Sequence, residues 1–286
     1  MDQAERPADF RPELSFVRSD PERRFGVSAG RFTQSNQLLG LLLGITLTVI
    51  TYAVLAKMPP NLVKSSLTER GPTPYAIVLF AFWALSILFV KFFKLRFQRR
   101  ALLLSLVPSD PTFVLSPATV DQITDRLYEL VDDPRQFVLF SRIQIALSNL
   151  RNMRRIGDVR EVLDSQADHD EAMSESSYSI VRGLIWAIPV LGFIGTVLGL
   201  SQAIGSFTGV LANSTDIEQL RPALQKVTGG LATAFETTLQ GLLAALTIHM
   251  LLTFIKRDEE RFLDDCKEFC QRHIVGRLRL TGGEGD

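Results

Sequence analysis

Between Gly183 and Ile255 the chain runs GLIWAIPVLGFIGTVLGLSQAIGSF, then a short polar loop, then TGGLATAFETTLQGLLAALTIHMLLTFI. Each half is long and apolar enough to cross a bilayer, which takes about 20 helical residues at about 1.5 Å rise each. Both halves are built on small and weakly polar residues, and the second carries one carboxylate, Glu236. A simple anchor does not need that composition, whereas helices packed closely around a polar path do. A charge at depth costs about 2.5–3.5 kcal/mol on insertion scales, so Glu236 must face protein or water, or be protonated.

The rest of the chain supports a membrane reading. Hydrophobic residues make up 46% of the 286, and the 31 basic and 31 acidic residues cancel, so no global field draws nucleic acid. Two cysteines cannot form a secreted disulfide framework. Four nearly charge-free apolar stretches account for the composition. The first begins near Leu38, after a charged arm and without a small-residue cleavage site, so it reads as a span rather than a signal.

The expected class is therefore all-α: a polytopic membrane protein with four transmembrane helices and long cytoplasmic helical extensions. Its expected divisions are a cytoplasmic N-terminal arm (1–36), a transmembrane hairpin (37–94), a cytoplasmic helical domain (95–181), a second transmembrane hairpin (182–255) and a cytoplasmic helix and tail (256–286). The first span, Leu38 to Ala56, holds Gly40 and Gly44 as a small-xxx-small pair, and Met58 to Thr73 reads as a short loop. The second span, about Pro74 to Val90, is rich in Phe and reads as lipid-facing. Lys91, Lys94, Arg96, Arg99 and Arg100 follow it and place that side, with both termini, in the cytoplasm.

Ser116-Pro117 reads as a cap for a helix carrying Val120, Ile123, Leu127, Leu130 and Val131, stopped at Asp133-Pro134. Phe137 to Leu150 is apolar on one face and ends in Arg151, Arg154 and Arg155. From Asp158 to Arg182 there is no Gly or Pro, so the third span is expected to begin as a cytoplasmic helix, polar on every side at its middle and needing support from neighbours. The fourth is expected to run on beyond Lys256 with a stripe of Phe262, Leu263, Cys266, Phe269, Cys270, Ile274 and Leu278, ended by Gly282-Gly283.

In the third span Gly192, Gly195, Gly199 and Ala203 form one smooth face with Thr196 beside it. In the fourth, Thr233, Glu236, Thr237 and Gln240 share overlapping faces, and Thr238, Gly241 and Ala245 make an adjacent small face. The functional reading of Glu236 is a polar station on an ion path; the plainer one is a carboxylate paired for packing. His249 reads as a helix-contact histidine. Cys266, Cys270 and His273 lack a common zinc spacing and a fourth ligand, which favours core packing. Nucleotide loops, metalloprotease pairs and nucleophile–base arrangements are absent from the sequence, so no enzyme and no cofactor is expected.

Two motifs, IPVLGFIGTVLGL (Ile188 to Leu200) and GGLATAFETTLQGLLAAL (Gly229 to Leu246), resemble those of the MotA/TolQ/ExbB proton-channel family. Pro189, Gly192, Gly195, Thr196 and Gly199 fall in register, as do Gly230, Ala232, Ala234, Thr238, Gly241, Leu242 and Ala245. The resemblance implies a homopentameric ring in a bacterial inner membrane. Its third and fourth spans would surround a single-span MotB/TolR/ExbD-like partner that carries an intramembrane aspartate. It makes Thr196 and Thr238 pore-facing, Thr233, Glu236, Thr237 and Gln240 candidates for the ion pathway, and a proton the expected ion. Many TolQ/ExbB-type members carry an acid where Thr233 stands here; Glu236 lies one turn later. Four spans resemble MotA, whereas the motifs are closer to TolQ and ExbB. The rival function is a non-conducting membrane scaffold.

Overall fold

The computed structural model describes residues 14–16, 22, 30–104, 106, 114–116, 119–150, 156–213 and 217–279. They form eight α-helices: α1 (Gln37–Lys57), α2 (Leu62–Thr68), α3 (Thr73–Arg99), α4 (Val120–Leu130), α5 (Val138–Leu150), α6 (Ile156–Ser177), α7 (Ser179–Asn213) and α8 (Ile217–His273). Among the described residues the extended pairings are two isolated bridges, Leu14 with Val131 and Leu115 with Leu278. Four segments are long and apolar enough to cross a membrane: Gln37–Lys57, Thr73–Leu103, Ile156–Gly205 and Leu224–Arg277.

Three local expectations change. The connection read as a loop contains α2, which Asn61 starts by accepting from Lys64 N at 2.8 Å. Seven residues are too few to show a period, so only the cap could have betrayed it. The helix at Val120 has Thr119, not Ser116, before it, and Thr119 Oγ1 accepts from Ser116 N at 2.9 Å. The helix entering the third span is divided at buried Tyr178, and resumes at once as Arg182 N donates to Tyr178 O at 3.0 Å. Pro117, Arg151, Arg154, Arg155 and Gly282-Gly283 lie outside the described residues.

The chain divides into two compact units. The core unit comprises Met1–Asn36, Val90–Ser177 and Ile255–Asp286. Its centre is aromatic: the rings of Phe16, Phe97 and Phe137 lie 5.5–6.2 Å apart, with Phe140 5.5 Å from Phe137. Helix α5 is buried on nearly every side rather than on one face, including Ser141 and Arg142. The stretch 165–177 of α6, expected to be polar all round, buries Ala167 and Asp170, which continue at helical spacing the buried face of Val159 and Leu163. The stripe on α8 buries Phe262, Leu263, Cys266 and Cys270, and Ile274 and Leu278 continue it.

Lys91 and Lys94, read as flanking charges, are 1% and 2% exposed. Lys91 Nζ lies 3.2 Å from Glu259 Oε2, and Thr33 Oγ1 donates to the other oxygen of that carboxylate. Lys94 Nζ meets Glu22 Oε2 at 2.6 Å and the Gln34 carbonyl at 2.7 Å. Arg142 Nε meets Asp170 Oδ2 at 2.7 Å, with both side chains 1–2% exposed. Buried charges persist only when paired and hydrogen-bonded in this way.

The hairpin unit comprises Gln37–Phe89 and Tyr178–Phe254. Here α1 and α3 meet through the glycine pair: a Cβ on Gly44 would lie 2.8 Å from Trp83 Cα, and one on Gly40 2.7 Å from Ile87 Cγ1. One face of α3 is therefore a helix contact, with Ile77, Ala84, Ile87 and Leu88 buried, while Tyr75 and Phe89 remain exposed. Large apolar side chains stay outside: Leu38 and Leu42 on α1, Trp186 and Phe193 on α7, Phe235 and Leu246 on α8. Such a band suits hydrocarbon as its surroundings. Hydroxyls on these helices return to their own backbone; Thr48 donates to Gly44 O and Thr247 to Leu243 O, each at 2.8 Å.

Candidate functional site

Helices α7 and α8 pack backbone to backbone along a seam of small residues. A Cβ on Gly199 would lie 2.6 Å from Gly230 O, and one on Gly230 the same distance from Gly199 O. Further along, a Cβ on Gly192 would meet Thr237 O at 2.9 Å, and one on Gly241 would meet Ile188 O at 3.0 Å. Gly195 faces Thr237 and, from the start of α3, Thr73. Ala203, Ala234 and Ala245 are buried along the same contact. Pro189 sits inside α7, where it removes one backbone donor; the carbonyl of Gly192, one turn on, is busy.

That carbonyl is the centre of a hydroxyl cluster. It accepts from Thr196 at 3.3 Å, from Thr237 at 3.4 Å and from Thr238 at 3.2 Å. The Ala234 carbonyl, 3.2 Å from both Thr196 and Thr237, is an alternative acceptor for the single proton of each, and the nearest acceptor of Thr237, at 2.9 Å, is the Thr233 carbonyl of its own helix. Thr196 Oγ1 and Thr238 Oγ1 also share a short hydrogen bond. Thr237 is fully buried, while Thr196 and Thr238 are half-buried at the rim of the seam. Hydroxyl and carbonyl oxygens set together replace part of a cation's hydration, and hydroxyls pass protons along hydrogen bonds. Each of these hydroxyls also has an acceptor within the single chain, so their geometry serves helix contact as well.

The other candidates on α8 divide between two neighbours. Thr237 and Thr238 turn to α7. Glu236 and Gln240, one turn apart, turn to the connection between the first two spans. Arg70 grips Glu236 with both arms of its fork, Nε to Oε2 at 3.0 Å and Nη2 to Oε1 at 2.8 Å, the side chains being 23% and 31% exposed. Gln240 Nε2 donates to Ser66 Oγ at 2.7 Å and to Ser66 O at 3.0 Å. Thr233 closes on its own helix, donating to Gly229 O at 3.0 Å. Sequence reasoning missed Arg70 and Ser66, because nothing in a loop says which helix it touches.

His249 is exposed, beside a groove of about 480 Å³ that it lines with Arg182, Trp186 and Pro189. Cys266 and Cys270 are free and buried, and burial pushes both thiols up, Cys270 to about 12. They serve the core. Among the described residues no cluster of three or more His, Cys, Asp or Glu is placed to hold a metal ion.

Among the described residues, four helices long and apolar enough to span a membrane, with a small-residue seam and a hydroxyl cluster in the last two, point to a multi-pass membrane protein. Residues 132–268, slightly less than half of the chain, match the model of the MotA/TolQ/ExbB proton channel family. That range contains both motifs, Ile188 to Leu200 and Gly229 to Leu246, and bears out the resemblance read from them. The family is one of channels rather than enzymes. Comparison with curated proteins and with solved structures finds no match.

Proposed function

We propose that this chain is the ring-forming subunit of an inner-membrane, ion-driven motor, a homopentamer around a single-span MotB/TolR/ExbD-like partner. Ion flow, expected to be of protons, is converted into mechanical work. The observation that supports this reading is the meeting of Thr196 and Thr238 at the rim of the seam, in the stretch that matches a proton-channel family. Thr196 and Thr238 line the path, Thr237 packs beside them and Thr233 lies about one turn toward its outer end, while Glu236 and Gln240 flank it on the loop side of α8. Pro189, Gly192, Gly195, Gly199, Gly230, Gly241 and Ala245 hold the two helices close enough to make it. The partner's intramembrane aspartate takes up and releases the ion, since the apolar stretches 38–56, 74–90, 183–207 and 228–255 contain no aspartate. The core unit lies in the cytoplasm with both termini.

A non-conducting scaffold is the second reading, favoured by the mutual satisfaction of Thr196, Thr237 and Thr238 within one chain. Co-purification in mild detergent with a candidate single-span protein, and the mass of the intact complex, separates the two. A ring of five chains around the partner fits the motor. A stable ring that never takes up a partner fits the scaffold.

A further inference from the structure

Glu236 and Thr238 lie at nearly the same depth on α8 but on opposite sides of it, since two residues advance a helix by about 3 Å and turn it by about 200°. The carboxylate is therefore about a helix diameter, roughly 10 Å, from the hydroxyl cluster. An unpaired negative charge at that distance pulls on a cation strongly enough for a roughly ten-fold rise in its occupancy, at an effective dielectric near 20. A path that must release its ion is harmed by such a trap, because conduction needs binding weak enough to let go.

The connection between the first two spans is built to prevent it. Helix α2 is tied down on its own account: Tyr52 OH donates to Leu67 O at 3.4 Å, and Lys64 Nζ donates to Met58 O at 2.8 Å and Ala56 O at 3.2 Å. Ser66 then holds Gln240, and Gly71, at φ +81°, turns the chain directly after Arg70. A residue with a side chain is strained at that φ, so the glycine is what allows Arg70 to be delivered so close to the turn into α3. Arg70 engages both carboxylate oxygens, a geometry that a lysine, as a point charge, does not reproduce.

We propose that Arg70 is a positioning residue for the ion path: it holds the Glu236 carboxylate turned to the loop and paired with the guanidinium, so that the passing cation is not trapped. This rests on the channel reading above. The role belongs to the pair, not to Arg70 alone, and that is what makes it testable.

The full complex with its partner is reconstituted in liposomes, and proton flux is measured for wild type, Arg70→Gln, Arg70→Lys, Glu236→Gln and the double variant Arg70→Gln/Glu236→Gln. Amide hydrogen exchange of residues 62–70 is followed in the same preparations. The expected result is flux about ten-fold lower in Arg70→Gln than in the double variant, which matches Glu236→Gln within about two-fold. Arg70→Lys falls between wild type and Arg70→Gln, and exchange quickens in Arg70→Gln. A double variant as impaired as Arg70→Gln overturns the proposal, because Arg70 then acts without Glu236. Unchanged flux in Arg70→Gln with quickened exchange also overturns it, leaving a purely structural clasp. A wild-type complex that passes no protons removes the channel reading itself, and the proposal with it; it is recognised by the missing wild-type signal rather than by the pattern among variants.

Discussion

The hairpin unit and the core unit solve the problem of polar groups in opposite ways. In the core unit, three ion pairs, Lys91–Glu259, Lys94–Glu22 and Arg142–Asp170, are almost wholly enclosed. Each joins residues at least 28 positions apart in sequence. In the hairpin unit many large apolar residues face outward, and the α7–α8 contact is made of glycine, alanine and hydroxyl. The bidentate Arg70–Glu236 ion pair there is partly exposed. Water expels apolar surface and so builds the first kind of interior. Lipid does not, so close packing and hydrogen bonds between helices must hold the second.

The comparison breaks most sharply at the seam. Gly199→Leu puts side-chain atoms where the Gly230 carbonyl lies, backbone against backbone, with nothing flexible to yield. Overpacking of this kind costs about 3 kcal/mol or more. The expected outcome is loss of the assembled protein from membranes, read by size-exclusion of the detergent extract. The same enlargement at Gly157, where nothing lies within 4 Å of an added Cβ, is expected to leave assembly intact.

Next comes the core unit's buried pair. Asp170→Asn leaves the Arg142 charge enclosed without its counter-ion, at an expected cost of about 3–5 kcal/mol. Replacing both, as Arg142→Met/Asp170→Leu, is expected to cost much less, because no orphaned charge remains. Thermal unfolding of the full chain in one detergent checks both. A double variant as unstable as the single would mean that the pair supplies more than mutual neutralisation.

Smaller in stability but larger in consequence is Thr238→Val. It removes one hydroxyl from the cluster, worth about 0.6 kcal/mol on average for a hydrogen bond between membrane helices. Folding should persist while ion-coupled function falls. The Cys266 and Cys270 thiols offer a probe of the core: burial holds both protonated near neutral pH, so maleimide is expected to react only on unfolding. The least effect is expected from the exposed Arg160–Asp164 pair, whose separation of 3.7 Å and open position make its loss worth under about 0.5 kcal/mol.

These regions were not equally legible. The hairpin could be read because membrane spans announce themselves by length, and because Gly192, Gly195, Gly199 and Ala203 repeat at helical spacing. A smooth face in lipid has one evident use. The stripe through Cys266 and Cys270 was legible for the same reason. What periodicity cannot show is the partner opposite. Arg70 and Glu236 are 166 residues apart, and Lys91 and Glu259 are 168 apart. Lys91 and Lys94 look like any basic cluster beside a span. A signal did exist for Arg142: it is a lone charge in the apolar run Val138–Leu150, and such a charge must find a counter-ion. Its counterpart Asp170 was hidden among the acids of α6.

The proposed motor depends on an ion passing along the α7–α8 seam. The most direct measurement is proton flux through the complex reconstituted with the proposed single-span partner, comparing wild type with Thr238→Val at matched protein content and oligomeric mass. The account predicts flux in the wild type and at least a ten-fold loss in the variant, with the ring intact. Equal flux in the two would contradict it, and would leave the hydroxyl cluster as a helix contact and nothing more.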